Sequence, residues 1–222
     1  MTEAVRSRAA CRAFLDRPVP AAVLRTLVET ALRAPSGGNL QPWHVHVLTG
    51  AAKARLTASV MEAFQRTPAG EPDHDPQIYP EPLGEPYKTR RAVCGAMLYD
   101  ALKIPREDKM GRIRQALKNY EFFGAPVGLI FTAPAGMVEG QAVDMGILMQ
   151  TVMLLAREQG LDTCPQAIWR MWPKAIAAAL GLGEGIHVLG GMSLGYADAA
   201  SPVATLNIPR DGLDVLATFH SE

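Results

Sequence analysis

Surplus charge of either sign is missing from this chain. Lys plus Arg and Asp plus Glu each number 22 in 222 residues, so no bulk field draws it to nucleic acid or an anionic membrane, and any basic site must be local. Cysteine is scarce and unpaired in spacing: Cys11, Cys94 and Cys164 are an odd set, which argues against a disulfide framework and for a reducing compartment. The opening Met1-Thr2-Glu3-Ala4-Val5-Arg6 has no apolar signal core. The most apolar helical stretch, Val143 to Ala156, is interrupted by Asp144 and Gln150 and falls short of the roughly 20 residues a membrane span needs. These absences together suggest a cytoplasmic protein with no membrane or nucleic-acid partner. Metal and acyl-enzyme chemistry also lack an anchor, since there is no His-Glu-x-x-His, Cys-x-x-Cys or Gly-x-Ser-x-Gly. Gly181-Leu182-Gly183-Glu184-Gly185 imitates a dinucleotide fingerprint but follows a helical pattern and leads into a strand, the reverse of the required context, so no autonomous nicotinamide-binding domain is visible.

What is present is an ordinary globular composition, 48% hydrophobic and 20% charged, long enough for one well-filled core. Thr2 is placed to cap a first helix, on which Arg8 and Arg12, four apart, share a face. Val23, Leu24, Leu27, Val28, Ala31 and Leu32 recur at helical spacing, His44 to Thr49 alternates like a strand, and residues 51 to 66 read as a helix. Six prolines then break up Thr67 to Pro86, a surface loop or a lid over a site. Tyr87 to Lys103 and Arg106 to Phe123 read as two helices, the second amphipathic through Met110, Ile113, Leu117 and Tyr120. Pro126 to Ala133 and Ile186 to Leu194 read as strands, Trp172-Pro173 as the start of a short helix. Gln141 to Gln159 reads as a long helix apolar on most sides, which has to be buried all round.

Packing explains one segment poorly: Ala34-Pro35-Ser36-Gly37-Gly38-Asn39-Leu40-Gln41-Pro42-Trp43. Two prolines remove donors, two glycines relax the dihedrals, and Ser36, Asn39 and Gln41 supply short polar reach. It is either a plain helix-to-strand turn or a shaped loop able to receive a flat polar ligand. Likewise, Arg8 and Arg12 are either a solvated face or a bracket for an anion. His44 and His46 face one way from a strand, as partly solvated residues or as a metal pair.

The order of these segments resembles the FMN-dependent nitroreductase family. Arg8-Ala9-Ala10-Cys11-Arg12-Ala13-Phe14 followed by Pro18-Val19-Pro20 is similar to the family's opening Arg-Arg-Ser-x-Arg-x-Phe and Pro-Val-Pro, with Ala9 and Ala10 standing where a basic residue and a serine are usual. Ala34 to Trp43 matches the family's Ala-Pro-Ser-x-x-Asn-x-Gln-Pro-Trp in full. Gly124-Ala125-Pro126-Val127, Gly160 to Gln166, Gly190 to Tyr196 and a tail arginine, Arg210, follow in order, so the resemblance spans nearly the whole chain.

The resemblance implies an α+β fold in a single domain over 1–222, with a central, mostly antiparallel sheet flanked by helices, and a 67–123 loop and helical insertion covering the site. It implies a domain-swapped homodimer whose C-terminal tail reaches the partner. It implies FMN, with NAD(P)H as co-substrate and nitroaromatic or quinone-like acceptors in a ping-pong reaction. Arg8, Ala9, Ala10, Arg12 and Arg210 would lie about the flavin phosphate. Pro35, Ser36, Gly37 and Asn39 would come from the other subunit to the ring and ribityl chain, and Pro165, Gln166 and Ala167 would pass the flavin N5 edge through their backbone. Tyr87, Arg90, Tyr120 and Phe123 would either shape the substrate pocket or serve in ordinary packing or solvation, with Asn119 near a flavin contact. Since the flavin carries the hydride, no catalytic acid or base is required. The same fold also serves enone reduction, reductive dehalogenation and flavin fragmentation, and a non-catalytic flavin-binding protein is a further alternative.

Overall fold

The computed structural model describes residues 1–72, 78–137 and 140–221. Four strands form one antiparallel sheet in the order β1-β2-β4-β3, with β1 at His44–Thr49, β2 at Val127–Pro134, β3 at Asp162–Gln166 and β4 at Ile186–Gly195. The fold is thus α+β, as the family resemblance implies, and the two outermost strands are β1 and β3.

Each face of the sheet is covered by helices. On one, α2 (Ala21–Ala31) and α6 (Ala142–Glu158) place Leu24, Leu27, Ala31, Met145, Leu148 and Val152 against Val127, Leu129 and Phe131 of β2. On the other, α3 (Gly50–Arg66) and α7 (Pro173–Leu180) pack Leu56, Val60, Ala63 and Ile176 against Ile130 and Val188. Odd and even residues of β2 therefore enter different cores, which is why its sequence is continuously apolar rather than alternating. Two tryptophans fill the second core. Trp169 stacks on Phe122 at 4.5 Å, and Tyr120 meets both Trp169 and Trp172 edge-on at 5.5 and 5.8 Å. Phe122 lies over Gly128, where any Cβ would stand 2.4 Å from the ring.

Several expectations change. The first helix, α1, ends at Ser7, so Arg8 and Arg12 do not share a helix face. Arg8 is already extended (φ −65°, ψ 123°) and Ala10 bridges to Thr163, with the Cys11 N–H donating to the Thr163 carbonyl at 2.9 Å. The open edge of β3 offers this segment backbone hydrogen bonds that a one-turn helix extension would forgo. Thr2 is the first residue of α1 and makes no side-chain cap.

The insertion is shorter in helix than its pattern suggests. Here α4 spans Tyr87–Ala101 and α5 Lys109–Leu117, and a 3₁₀ segment, Lys118–Gly124, turns back with Phe122 and Phe123 both at φ 53°. On α5, Gly111 and Gln115 are buried while Met110 and Ile113 are exposed. On α6 the all-round burial fails, since Val143 is 71% and Ile147 36% exposed.

The proline-rich loop is tethered rather than wandering at its start. The Glu71 carboxylate accepts from the Lys174 and Ala175 amides at 2.6 and 3.0 Å, capping the N-terminus of α7, and its own N–H donates to the Met171 carbonyl. Pro76 lies outside the described residues. The tail beyond Ala204 is extended apart from a short helix, α8 (Leu213–Leu216), and exposes Leu213, Val215, Leu216 and Phe219.

Candidate active site

The edge of β3 gathers the Arg8–Arg12 segment and Pro165, Gln166 and Ala167. Arg8 and Arg12 run beside it and form no ion pair among the described residues, and the one side-chain hydrogen bond between them is from Arg12 Nη1 to the Ala10 carbonyl at 3.3 Å. Both guanidiniums act on the Cys164 thiol of β3: burial pushes it up to about 11, while Arg12 and Arg8 pull in the opposite direction. Beside them the Thr163 hydroxyl is buried without a hydrogen-bond partner. Two unpaired guanidinium forks around a polar edge form a donor set fit for a phosphate. Ala9 and Ala10 contribute backbone only.

Further along, Pro165 and Ala167 are exposed and Gln166 between them is buried. The Thr163 carbonyl points away from β4, towards Cys11, so by strand alternation the Gln166 carbonyl faces β4. The Ala167 N–H, across the same peptide plane, then faces outwards. Pro165 has no N–H, which leaves the Ala167 amide as the outward donor at this end of the strand. Close packing behind it depends on two glycines: a Cβ at Gly190 would come within 3.2 Å of the Gln166 carbonyl, and one at Gly191 within 2.4 Å of the Trp169 ring. About 13 Å of strand separates Thr163 from Ala167, room for a ligand charged at one end and ring-shaped at the other.

The Ala34-to-Trp43 loop is built for rigidity. Gly37–Asn39 forms a 3₁₀ turn with Gly38 and Asn39 at φ 56° and 55°. The Ser36 hydroxyl oxygen accepts the Gln41 N–H at 2.9 Å, and Gln41 Nε2 donates to the Asn39 carbonyl at 3.2 Å. This leaves the Ser36 hydroxyl proton free to donate elsewhere. Pro35, Gly37 and Asn39 are exposed. Asp144, read in the sequence only as an interruption of an apolar helix, anchors the loop: both carboxylate oxygens accept the Gly37 N–H, at 3.2 and 3.3 Å. It stands in the first turn of α6, where the helix dipole favours a buried carboxylate.

The four expected substrate residues divide in two. Tyr87 is exposed and Arg90 lies over its ring at 5.5 Å. Arg90 also pairs with Asp211 of the tail, its Nε donating at 2.9 Å. Tyr120 and Phe123 are core residues, 2% and 7% exposed, because the left-handed turn at Phe122 and Phe123 drives the aromatics under the sheet. Ile113, Leu117 and Tyr120 instead floor a cavity of about 290 Å³ that reaches Ile168 and Met171. Asn119 turns inwards, its carbonyl accepting from Gln166 Nε2 at 2.7 Å. Arg210 is exposed and donates only to the Ile208 and Pro209 carbonyls, at 2.7 and 3.2 Å, so nothing joins it to Arg8 or Arg12 within this chain. His44 and His46 stack at 4.5 Å, with His46 Nε2 3.2 Å from the Thr132 hydroxyl, and no group of three or more metal-ligating side chains occurs among the described residues. Among those residues no helix is long and apolar enough to cross a membrane.

The parts that resemble a flavin site stand apart in one chain. The loop leads into β1 and the Pro165–Ala167 segment ends β3, at opposite edges of the sheet, about 14 Å apart by strand spacing.

A domain of this architecture carries unpaired arginines along an edge strand, beside thiols at Cys11 and Cys164 that burial keeps protonated, and is suited to hold an anionic group rather than to attack one. The chain belongs to the nitroreductase family, whose model matches residues 5–196. It is similar to the nitrobenzene nitroreductase of Ectopseudomonas oleovorans, at 39% identity over 98% of this chain and 96% of that protein. Among solved structures it is similar to the FMN and NADPH-dependent nitroreductase NfnB of Sphigopyxis sp. strain HMH, at 41% identity and a TM-score of 0.94, covering 100% of this chain and 99% of the other. The FMN-dependent NfnB of Mycobacterium smegmatis, solved in complex with NADPH, is 35% identical with a TM-score of 0.91, over 99% and 97% of the two chains.

Proposed function

We propose that this chain is an FMN-dependent oxidoreductase that reduces nitroaromatic compounds, with quinone-like molecules as further acceptors, at the expense of NAD(P)H. The observation that carries the reading is the pairing of two unpartnered guanidiniums, Arg8 and Arg12, with an outward Ala167 amide on one strand edge. It is supported by full-length similarity to nitroreductases described as FMN- and NADPH-dependent. Bound FMN would supply two-electron redox chemistry between the nicotinamide and the acceptor. The chain's own work is to bind, orient and exclude water. Arg8 and Arg12 hold the phosphate, and the Ala167 amide donates to the ring edge. Tyr87 and Arg90, at the head of α4, stand where an acceptor enters.

Pro35, Ser36, Gly37 and Asn39 would act on the ring bound by a second copy, and Arg210 would reach a phosphate from the exposed tail. On this reading the enzyme works as a homodimer, in the cytoplasm. Purified protein loaded with FMN is expected to absorb near the flavin bands and to oxidise NADPH or NADH when nitrobenzene is added. Protein that takes up no FMN defeats the reading. FMN-loaded protein that reduces enones or dehalogenates substrates but leaves nitroarenes and quinones untouched replaces it with another reaction on the same scaffold.

A further inference from the structure

The resemblance implies only a backbone role for Gln166, yet its side chain makes three hydrogen bonds beside the proposed site. It is 3% exposed. Nε2 donates to the Asn119 carbonyl at 2.7 Å and to Asn119 Oδ1 at 3.2 Å, while Oε1 accepts from the Ser193 hydroxyl at 3.0 Å. Ser193 is fully buried on β4, and Asn119 lies in the 3₁₀ segment that ends the helical insertion, with its Nδ2 donating back to the Ala116 carbonyl at 2.9 Å. One amide thus ties β3, β4 and the foot of the insertion together. A buried primary amide has two donor hydrogens and one acceptor oxygen, and all three are engaged here.

The neighbours of Gln166 give this junction its meaning. Pro165 and Ala167 on either side face solvent, and the Ala167 N–H is the outward donor of the strand end. Gln166 is the last residue of β3, and the next turn begins at Ala167. The ladder therefore stops fixing the backbone where the amide must be held.

We propose that Gln166 is a positioning residue: its buried side chain fixes the Ala167 amide against the ring edge of the bound flavin and couples that amide to the insertion through Asn119. This rests on the proposed FMN-dependent function. Because hydride transfer responds steeply to small displacements of the groups that orient it, the effect should appear in rate and potential more than in affinity.

The test uses full-length protein loaded with FMN. Gln166→Leu keeps the volume and removes the three hydrogen bonds; Ser193→Ala removes only the bond to Oε1. In stopped-flow reduction by NADPH, Gln166→Leu is expected to slow flavin reduction on the order of tenfold, with a smaller effect for Ser193→Ala. The flavin midpoint potential should shift in both, while the FMN dissociation constant, set by the phosphate grip, changes less than about threefold. A purely structural role predicts a lower melting temperature with wild-type rate and potential in the loaded protein, and that result overturns the proposal. If Gln166→Leu does not fold, Ser193→Ala decides by the same two readouts. Wild-type protein that binds no FMN sinks the functional reading itself, whereas wild-type binding with unchanged variants sinks only the role of Gln166.

Discussion

At the scale of single residues, the separation between a charged grip and an inert lining is sharp. Among the described residues Arg12 has no ion-pair partner, and its removal orphans no carboxylate there, so Arg12→Ala should act on the ligand rather than the fold. Loss of a charge-assisted hydrogen bond worth about 1.5–3 kcal/mol is expected to weaken FMN binding on the order of 10-fold or more, read by quenching of flavin fluorescence. An unchanged dissociation constant removes Arg12 from the site.

The cysteines are the counterpart. Burial raises Cys11 to about 12 and Cys164 to about 11, from 9.0. The native state therefore keeps thiol protons that the unfolded chain loses above pH 9. Bound protons are then more numerous in the native state, so the free energy of unfolding falls as pH rises from about 9 towards 11 to 12 and is fully present below 9. Urea midpoints measured across that range should decline, and Cys11→Ala should flatten the decline. A midpoint independent of pH there contradicts the burial argument.

At the scale of elements, β1, β2, β4, α2, α3, α6 and α7 are legible because each carries its period or punctuation in the sequence, and Gly181 at φ 65° ends α7 where the glycines suggest, whereas β3, five residues with Pro165 among them, has no strand pattern of its own. The failures share a cause. Arg8 and Arg12 left the helix because a strand edge elsewhere in the chain claims their backbone, and no local pattern records that competition. Tyr120 and Phe123 went into the core because two consecutive phenylalanines adopt left-handed dihedrals, which their residue type does not announce. In the site, the loop was legible as a shaped surface. Its anchor was not, since Asp144 is 107 residues from Gly37 and looked like a flaw in an apolar helix.

That anchor can be tested. Asp144→Ala is expected to loosen the Ser36–Gln41 turn, weaken FMN binding by about threefold to tenfold and leave far-ultraviolet circular dichroism unchanged. Asp144→Asn, which still presents an acceptor to the Gly37 N–H, should sit close to wild type. Equal effects of the two variants would show that charge, not the hydrogen bond, matters. Glu71 makes the same argument for the proline-rich loop. Glu71→Ala strips two amides of α7 of their acceptor and is expected to cost about 1–3 kcal/mol in urea unfolding while speeding proteolysis between Thr67 and Pro86. Unaltered cleavage rates would mean that the loop is held elsewhere.

At the scale of the whole molecule, the exposed apolar residues fall into a pattern that a single chain leaves unexplained. Val143 and Ile147 project from α6, one turn apart, on the helix that also carries the loop anchor Asp144. The tail adds Leu213, Val215, Leu216 and Phe219, each more than 60% exposed. Isolated exposed side chains are ordinary, but here two share a helix with Asp144, the anchor of the Ser36–Gln41 turn, and four share a tail with Arg210. A second copy laid against α6 would cover Val143 and Ile147 and bring one copy's Ser36–Asn39 turn towards the other's Ala167 edge. Val143→Glu together with Ile147→Glu places charge in that interface and should shift the sedimentation coefficient to that of a monomer of 23.9 kDa. If the flavin site is completed across the same interface, as proposed, the double variant should lose FMN in parallel. Removal of the chain after Ala204 should instead weaken both without abolishing α6 contact. A monomeric double variant that keeps full flavin affinity would place all the binding residues on one chain and leave the loop at the far edge of the sheet without a part in it.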